Sequence, residues 1–172
     1  MINSTKIVGT PIGEILLVGN GTAVTELLLP DAWTCPTEQP DAVLEEAARQ
    51  LAAYFARQRE EFDLPLAPQG TTFQQQVWQA LQHIPYGATT SYSALANTIG
   101  KPGAARAVGL ANGSNPIAII IPCHRVIGAS GTLVGYGGGL PRKRWLLDLE
   151  SGSVPLFDPA GNEQQLAGAH HR

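Results

Sequence analysis

The chain has 172 residues, 44% of them hydrophobic and 15% charged, and its mean hydropathy is near zero. That is enough to bury one substantial core or two small ones, and it excludes extensive disorder. No apolar run approaches the ~20 residues that a membrane helix needs, and Met1 to Gly9 carries no signal-like apolar segment, so a cytoplasmic protein without membrane attachment is expected. The formal charge of −3 hides an asymmetry: residues 1–70 carry four basic and ten acidic side chains, whereas residues 71–150 carry six basic ones against Asp148 and Glu150. Only the second segment suits a polyanion, because phosphate contacts need clustered Lys and Arg; chance asymmetry is the alternative.

Between Lys6 and Leu29, short β-prone runs (Ile15 to Val18, Val24 to Leu29) are separated by Gly13 and by Gly19-Asn20-Gly21-Thr22, and an Asn-Gly pair is a hairpin signal. Beyond a Pro-rich loop, Leu44, Ala47, Ala48, Leu51, Tyr54 and Phe55 fall at helical spacing, with Glu45 and Glu46 placed to pair with Arg49. An amphipathic helix on a small sheet is predicted. Pro65, Pro68 and Gly70 then punctuate the chain where the charge balance changes sign, which puts a boundary at 70/71.

The second unit, 71–150, reads as mostly helical. Phe73, Val77, Ala80, Leu81 and Ile84 make one apolar face, Thr71 or Thr72 can cap it, and Pro85-Tyr86-Gly87 ends it. Ser91 to Ile99 and Ala104 to Ala111, joined by Gly100-Lys101-Pro102-Gly103, have the layout of a helix-turn-helix. The second of these is rich in Ala and Gly around one long cation, Arg106; such a face suits a groove or close packing on another helix. Asn112 to Pro116 is a turn by composition, and Ile117 to Ile121 is an apolar run of strand length. A glycine-rich loop carrying Tyr136 follows, then a helix over Lys143 to Glu150 that buries Leu146, Leu147 and Leu149; Ser151 to Arg172 has no periodicity and reads as a loose tail. The fold class expected is α+β: a small N-terminal sheet with a helix, then a mostly helical unit.

Immediately after the Ile run comes Pro122-Cys123-His124-Arg125-Val126, a soft nucleophile beside a base. A thiol attacks as its thiolate, so something local must take the proton. His124 can act as the base, the charge of Arg125 favours the thiolate, and Pro122 suits the tight turn that lets neighbouring residues communicate. Plain packing of a Cys-His pair is the alternative. Cys35 lies in a Pro-punctuated loop with no adjacent base and reads as incidental; both cysteines are read as free thiols.

With these residues assembled, residues 73–150 resemble the O6-alkylguanine-DNA alkyltransferases, the methylated-DNA:protein-cysteine methyltransferases. Phe73, Val77-Trp78, Ile84-Pro85-Tyr86-Gly87, Thr89, Ser91-Tyr92, Leu95-Ala96, Ile99-Gly100, Arg106-Ala107-Val108-Gly109, Asn115-Pro116, Pro122 to Val126, Gly135-Tyr136, Lys143, Leu146-Leu147 and Glu150 all stand in the family's order. A lone Pro-Cys-His-Arg arises by chance; this series over about half the chain does not. The N-terminal part is similar in its hairpin-plus-helix layout, which the resemblance makes a ribonuclease-H-like domain.

The resemblance implies a one-shot reaction in which Cys123 takes the alkyl group from O6-alkylguanine, or from O4-alkylthymine, in double-stranded DNA. His124 would act as base through a bridging water, and Glu150 would orient its ring. The helix begun by Ala104 and Ala105 would enter the minor groove, Arg106 would fill the gap left by the flipped base, and Tyr92 would help rotate the nucleotide and bond guanine N3. Tyr136 and the Gly137 amide would close over the base, the carbonyls of Cys123 and Val126 would accept from its amine, and Asn115 would brace the reactive turn or serve as an ordinary Asn-Pro turn residue. A monomer is expected, with clustering along DNA an option. Some relatives hold zinc in the N-terminal part, but the first 70 residues here offer Cys35 and no His, so no metal and no cofactor are expected. His83 reads as surface, and His170 and His171 lie in the tail. A non-catalytic sensor of alkylated DNA, a Cys-His thiol hydrolase and a helix-turn-helix regulator are the rival readings.

Overall fold

A computed structural model describes residues 3–34 and 36–153. Cys35, His170 and His171 therefore lie outside the described residues, as does all of the expected tail beyond residue 153. Three antiparallel strands open the chain: β1 (Ser4–Thr10), β2 (Gly13–Gly19) and β3 (Val24–Leu28), in the order β1-β2-β3. The turn at Asn20 joins β2 to β3, its side-chain Oδ1 accepting from the amides of Thr22 and Ala23, which is the local geometry that an Asn in a turn supplies. Helix α1 (Ala42–Phe55) is capped by Asp41, whose side chain accepts from the Leu44 amide at 2.9 Å. It buries Leu44, Ala47 and Leu51 as it packs on the sheet, while Tyr54 in its last turn is buried among Phe62, Tyr86 and Glu150. Glu46 pairs with Arg49 at 2.6 Å as the spacing predicts; Glu45 instead reaches Lys6 of β1 at 3.2 Å, because that side of α1 faces the sheet edge.

Helix α2 (Thr72–Leu81) starts on a capping box: Thr71 accepts from the Gln74 amide and the Gln74 side chain accepts from the Thr71 amide, satisfying two otherwise orphaned donors. After β4 (Thr90–Ser91) come α3 (Tyr92–Thr98) and α4 (Ala105–Gly113). The chain reverses between them through Gly100 (φ 75°) and Gly103 (φ 89°), conformations that cost glycine little. The helix-turn-helix layout is present. A 3-10 turn (Cys123–Arg125), β5 (Val126–Ile127) and α5 (Leu140–Glu150) complete the described fold. β4 and β5 pair in parallel, Thr90 with Val126 and Ser91 with Ile127, which sets the start of α3 beside the 3-10 turn.

The run Ile117 to Ile121 is not the strand that its length suggests. Only Ile117 pairs, in an isolated parallel bridge to Leu27 of β3. The chain then folds tightly, with the Ile121 amide donating to the Ile117 carbonyl at 3.0 Å and Ile119 at φ 70°. A β-branched residue there is strained. Complete burial of Ile117, Ile119 and Ile121 offsets that strain. The edge of β3 also takes residues 65–67, through Val24 N to Pro65 O and Ala67 N to Val24 O. One continuous cluster of buried apolar residues runs from Ile12 to Leu149. Among the described residues no helix is long and apolar enough to cross a membrane.

Candidate active site

Pro122, at φ −81° and ψ 66°, makes an inverse γ-turn in which the Cys123 amide donates to the Ile121 carbonyl at 2.8 Å. The 3-10 turn follows at once, so Cys123, His124 and Arg125 are all buried, with Cys123 facing a cavity and His124 and Arg125 both reaching Glu150. Asn115 closes the preceding loop at both ends: its Oδ1 accepts from the Ile117 amide at 3.0 Å and its Nδ2 donates to the Ile121 carbonyl at 2.8 Å. Asn115 thus spans the loop that precedes the 3-10 turn.

Behind the turn stands α5, whose Lys143, Leu146 and Glu150 fall on one buried stripe. The Glu150 side chain is 1% exposed, not the solvated helix-end carboxylate that its position suggests. Its Oε2 accepts from His124 Nε2 at 2.7 Å, from Tyr54 Oη at 2.6 Å and from Arg125 Nη2 at 2.9 Å, and its Oε1 accepts from Arg125 Nε at 2.7 Å. Burial pushes this carboxyl upward, but the charge and hydrogen bond of His124, with those of Arg125, overcome it and hold the group at about 2. The bond to Glu150 places a proton on His124 Nε2 and leaves Nδ1, buried and without a partner among the described residues, as the lone-pair nitrogen.

The cation expected to favour the thiolate is therefore a different one. Arg125 is committed to Glu150 and, through Nη1, to the Ile84 carbonyl at 2.7 Å, and it stacks over the Tyr86 ring. Burial pushes the Cys123 thiol up, against a hydrogen bond from Asn115 and the charge of Lys143. Lys143 is fully buried and donates to the carbonyls of Val126 at 2.7 Å, Val134 at 2.8 Å and Gly135 at 3.1 Å. It ties the glycine-rich loop to β5. Burial lowers its own value, and the neighbouring thiol works the other way.

Cys123 lines a cavity of about 150 Å³ together with Tyr92, Gly109, Asn112, Asn115, Tyr136 and Gly137. The Tyr92 hydroxyl donates to the Val134 carbonyl at 3.2 Å. Burial raises the Tyr136 hydroxyl well above 10, and that hydroxyl has no partner among the described residues. An open depression of about 470 Å³, lined by Arg106, Ala105 and Ser91, adjoins the cavity and shares Tyr92, Gly109 and Gly135 with it. Arg106 of α4 is exposed; Ala104, the N-cap residue, packs against the core. The two carbonyls expected to receive a base's amine already carry donors, Asn112 Nδ2 on Cys123 at 3.4 Å and Lys143 on Val126. Each has a second lone pair for a ligand. His83, just beyond α2, is exposed and bonds the Gln79 carbonyl. Among the described residues no group of three or more His, Cys, Asp or Glu side chains is placed to hold a metal.

Tyr54, Asn112 and Lys143 are the residues of this site that sequence reasoning left without a role. Tyr54 lies 96 positions from Glu150 and reads as an ordinary apolar-face residue.

Fold and site define a helix-turn-helix protein with a Cys, a His and a Glu gathered behind its second helix. Family models agree: residues 72–152 match the 6-O-methylguanine DNA methyltransferase DNA binding domain, and residues 5–68 match the ribonuclease-like domain of the same family. The chain is 53% identical over 161 residues to the methylated-DNA–protein-cysteine methyltransferase of Mycobacterium tuberculosis, covering 89% of this chain and 98% of that one. It is 50% identical over 150 residues to that of Methanosarcina acetivorans, covering 82% and 94%. The crystal structure of the M. tuberculosis O6-methylguanine methyltransferase superposes with a TM-score of 0.81 at 52% identity, over 91% of this chain and 97% of that one. The same organism's protein in complex with DNA gives 0.79 at 54%, over 87% and 92%. The chain belongs to the 6-O-methylguanine DNA methyltransferase family. It is a DNA-repair transferase whose alkyl acceptor is a cysteine.

Proposed function

We propose that the protein takes the alkyl group from O6 of guanine in duplex DNA and keeps it as a thioether on Cys123, one event per molecule. The observation that carries this reading is the position of the thiol: it lines a cavity beside α4, with the His124–Glu150 pair behind it. The flipped base enters from the α4 side past Tyr92. The Sγ–carbon bond forms as the carbon–O6 bond breaks; the thiol proton passes through a bridging water to His124 Nδ1 and on to the departing guanine. Glu150 stabilises the transient imidazolium. A thioether is not hydrolysed, so the protein is spent.

Arg106 fills the gap in the stack, Ala104 and Ala105 bring α4 close to the backbone, and Tyr92 turns the nucleotide. Tyr136 and the Gly137 amide cover the base, while the Cys123 and Val126 carbonyls take its amine on their free lone pairs. The same pocket accepts O4-alkylthymine. The division of labour is between a unit 1–70 and a DNA-binding and reactive unit 71–150; the separate family matches over 5–68 and 72–152 support it. A monomer acting in the reducing cytoplasm suits a free, buried thiol.

Cys123→Ala tests the reading. It should abolish transfer while leaving affinity for alkylated duplex within about threefold, since the side chain adds little contact area. Loss of both in a folded variant would overturn the assignment, and repeated turnover by the wild type would favour a thiol hydrolase.

A further inference from the structure

We infer that Tyr54 is a positioning residue for alkyl transfer, its hydroxyl fixing the carboxylate that orients His124; this rests on the reading of Cys123 and His124 given above. Tyr54 sits in the last turn of α1, fully buried, with ring neighbours Phe55, Phe62 and Tyr86 at centroid distances of 5.1, 5.4 and 6.1 Å. A phenylalanine would fill that aromatic box equally well. A buried hydroxyl costs free energy unless it is paired, and this one finds its partner at 2.6 Å on Glu150 Oε2, the oxygen that holds His124 at 2.7 Å.

The carboxylate takes four hydrogen bonds, three of them on Oε2, from Tyr54, His124 and Arg125, and one on Oε1 from Arg125. Three of these donors come from the residues following Cys123, so they move with the turn. Tyr54 alone approaches from residues 1–70 and fixes the carboxylate against an independent frame. Its hydroxyl is held well above 10 by burial and then by the Glu150 charge, so it donates throughout the working pH range. Without it the carboxyl group gains rotational freedom, and the Nε2–H tautomer that leaves Nδ1 open is held less firmly. The N-terminal unit thereby supplies a side chain to the site itself.

Tyr54→Phe in the full chain tests this with two readouts. In single-turnover assays on a duplex containing O6-methylguanine, the first-order transfer constant should fall about tenfold, the scale on which misplacement of a reacting group acts, with the Kd for that duplex unchanged. In 15N–1H spectra of the free protein, wild-type His124 should show one protected Nε2–H, and the variant a mixture of tautomers or rapid exchange of that proton. An unchanged transfer constant and an unchanged His124 spectrum in a variant of lower Tm would assign Tyr54 to packing alone and overturn the proposal. So would wild-type protein lacking the protected Nε2–H. The spectrum reads the Tyr54–Glu150–His124 chain without any reaction, so a wild type that shows the protected proton yet transfers no alkyl group would count against Cys123 and His124 as assigned, not against this contact.

Discussion

At Glu150 a helix C-terminus carries an acid, which the helix dipole disfavours, and the structure shows what makes that placement stable: four donors converge on the carboxylate inside the core. Breaking one side of such a buried cluster is costly, whereas the intact cluster adds modest net stability. A carboxyl held at about 2 when folded, against 4.5 ordinarily, contributes stability that is present above pH 4.5 and lost as the pH falls through 2. The full contribution is on the order of 3 kcal/mol. The unfolding free energies of wild type and Glu150→Gln, measured in urea at pH 7 and pH 3, should therefore converge by on the order of 2 kcal/mol at the lower pH. A difference that stays constant would contradict the pairing. Cys123, His124 and Glu150 were legible in the sequence because two of them are adjacent and the third belongs to a dense motif series. Lys143 stands in the same series, but its role was not legible: lysine is among the residues least often buried, and nothing local signals that three carbonyls from residues 126–135 will surround its ammonium.

Among the elements, α4 carries the argument about duplex DNA. Its inner residues Val108 and Ala111 are buried, and Trp78 of α2 locks it by donating Nε1–H to the Ala111 carbonyl at 2.9 Å. Arg106 is left on the outer face. Arg106→Ala should slow repair of O6-methylguanine in a duplex by about tenfold or more, because flipping costs a few kcal/mol that a gap-filling side chain offsets. Reaction with free O6-benzylguanine should change by less than about twofold, since no base leaves a stack. Equal losses on both substrates would mean that α4 had been displaced. The helices were legible from apolar spacing and caps, within one to three residues at most ends. The Ile117–Ile121 turn was not, because a β-branched run bounded by turn residues has the pattern of a buried strand. Its true conformation depends on the Asn115 brace and on Leu27, contacts that spacing does not reveal.

On the scale of the whole molecule, the charge asymmetry survives in weaker form than composition suggests. Of the six cations in residues 71–150, Arg125 and Lys143 are buried and Arg142 is largely so, which leaves Lys101, Arg106 and Arg144 exposed. With Arg106 in the base stack, Lys101 and Arg144 remain for phosphates, and DNA affinity should fall roughly 12-fold between 50 and 200 mM salt, the loss that about two phosphate contacts produce; no dependence on salt would rule out this basic surface. Residues 1–70 meet the rest of the described chain at the β3 edge, where Leu27 pairs with Ile117, and at Tyr54, which bonds Glu150, connections invisible to local pattern. The central claim, that Cys123 is a stoichiometric alkyl acceptor, is tested most directly by intact mass and peptide mapping after mixing the protein with excess duplex containing O6-methylguanine. One methyl group, on Cys123, saturating at one per protein, is expected. Lesion that remains intact and bound, with no adduct on the chain, would contradict it and make the protein a sensor of alkylated DNA.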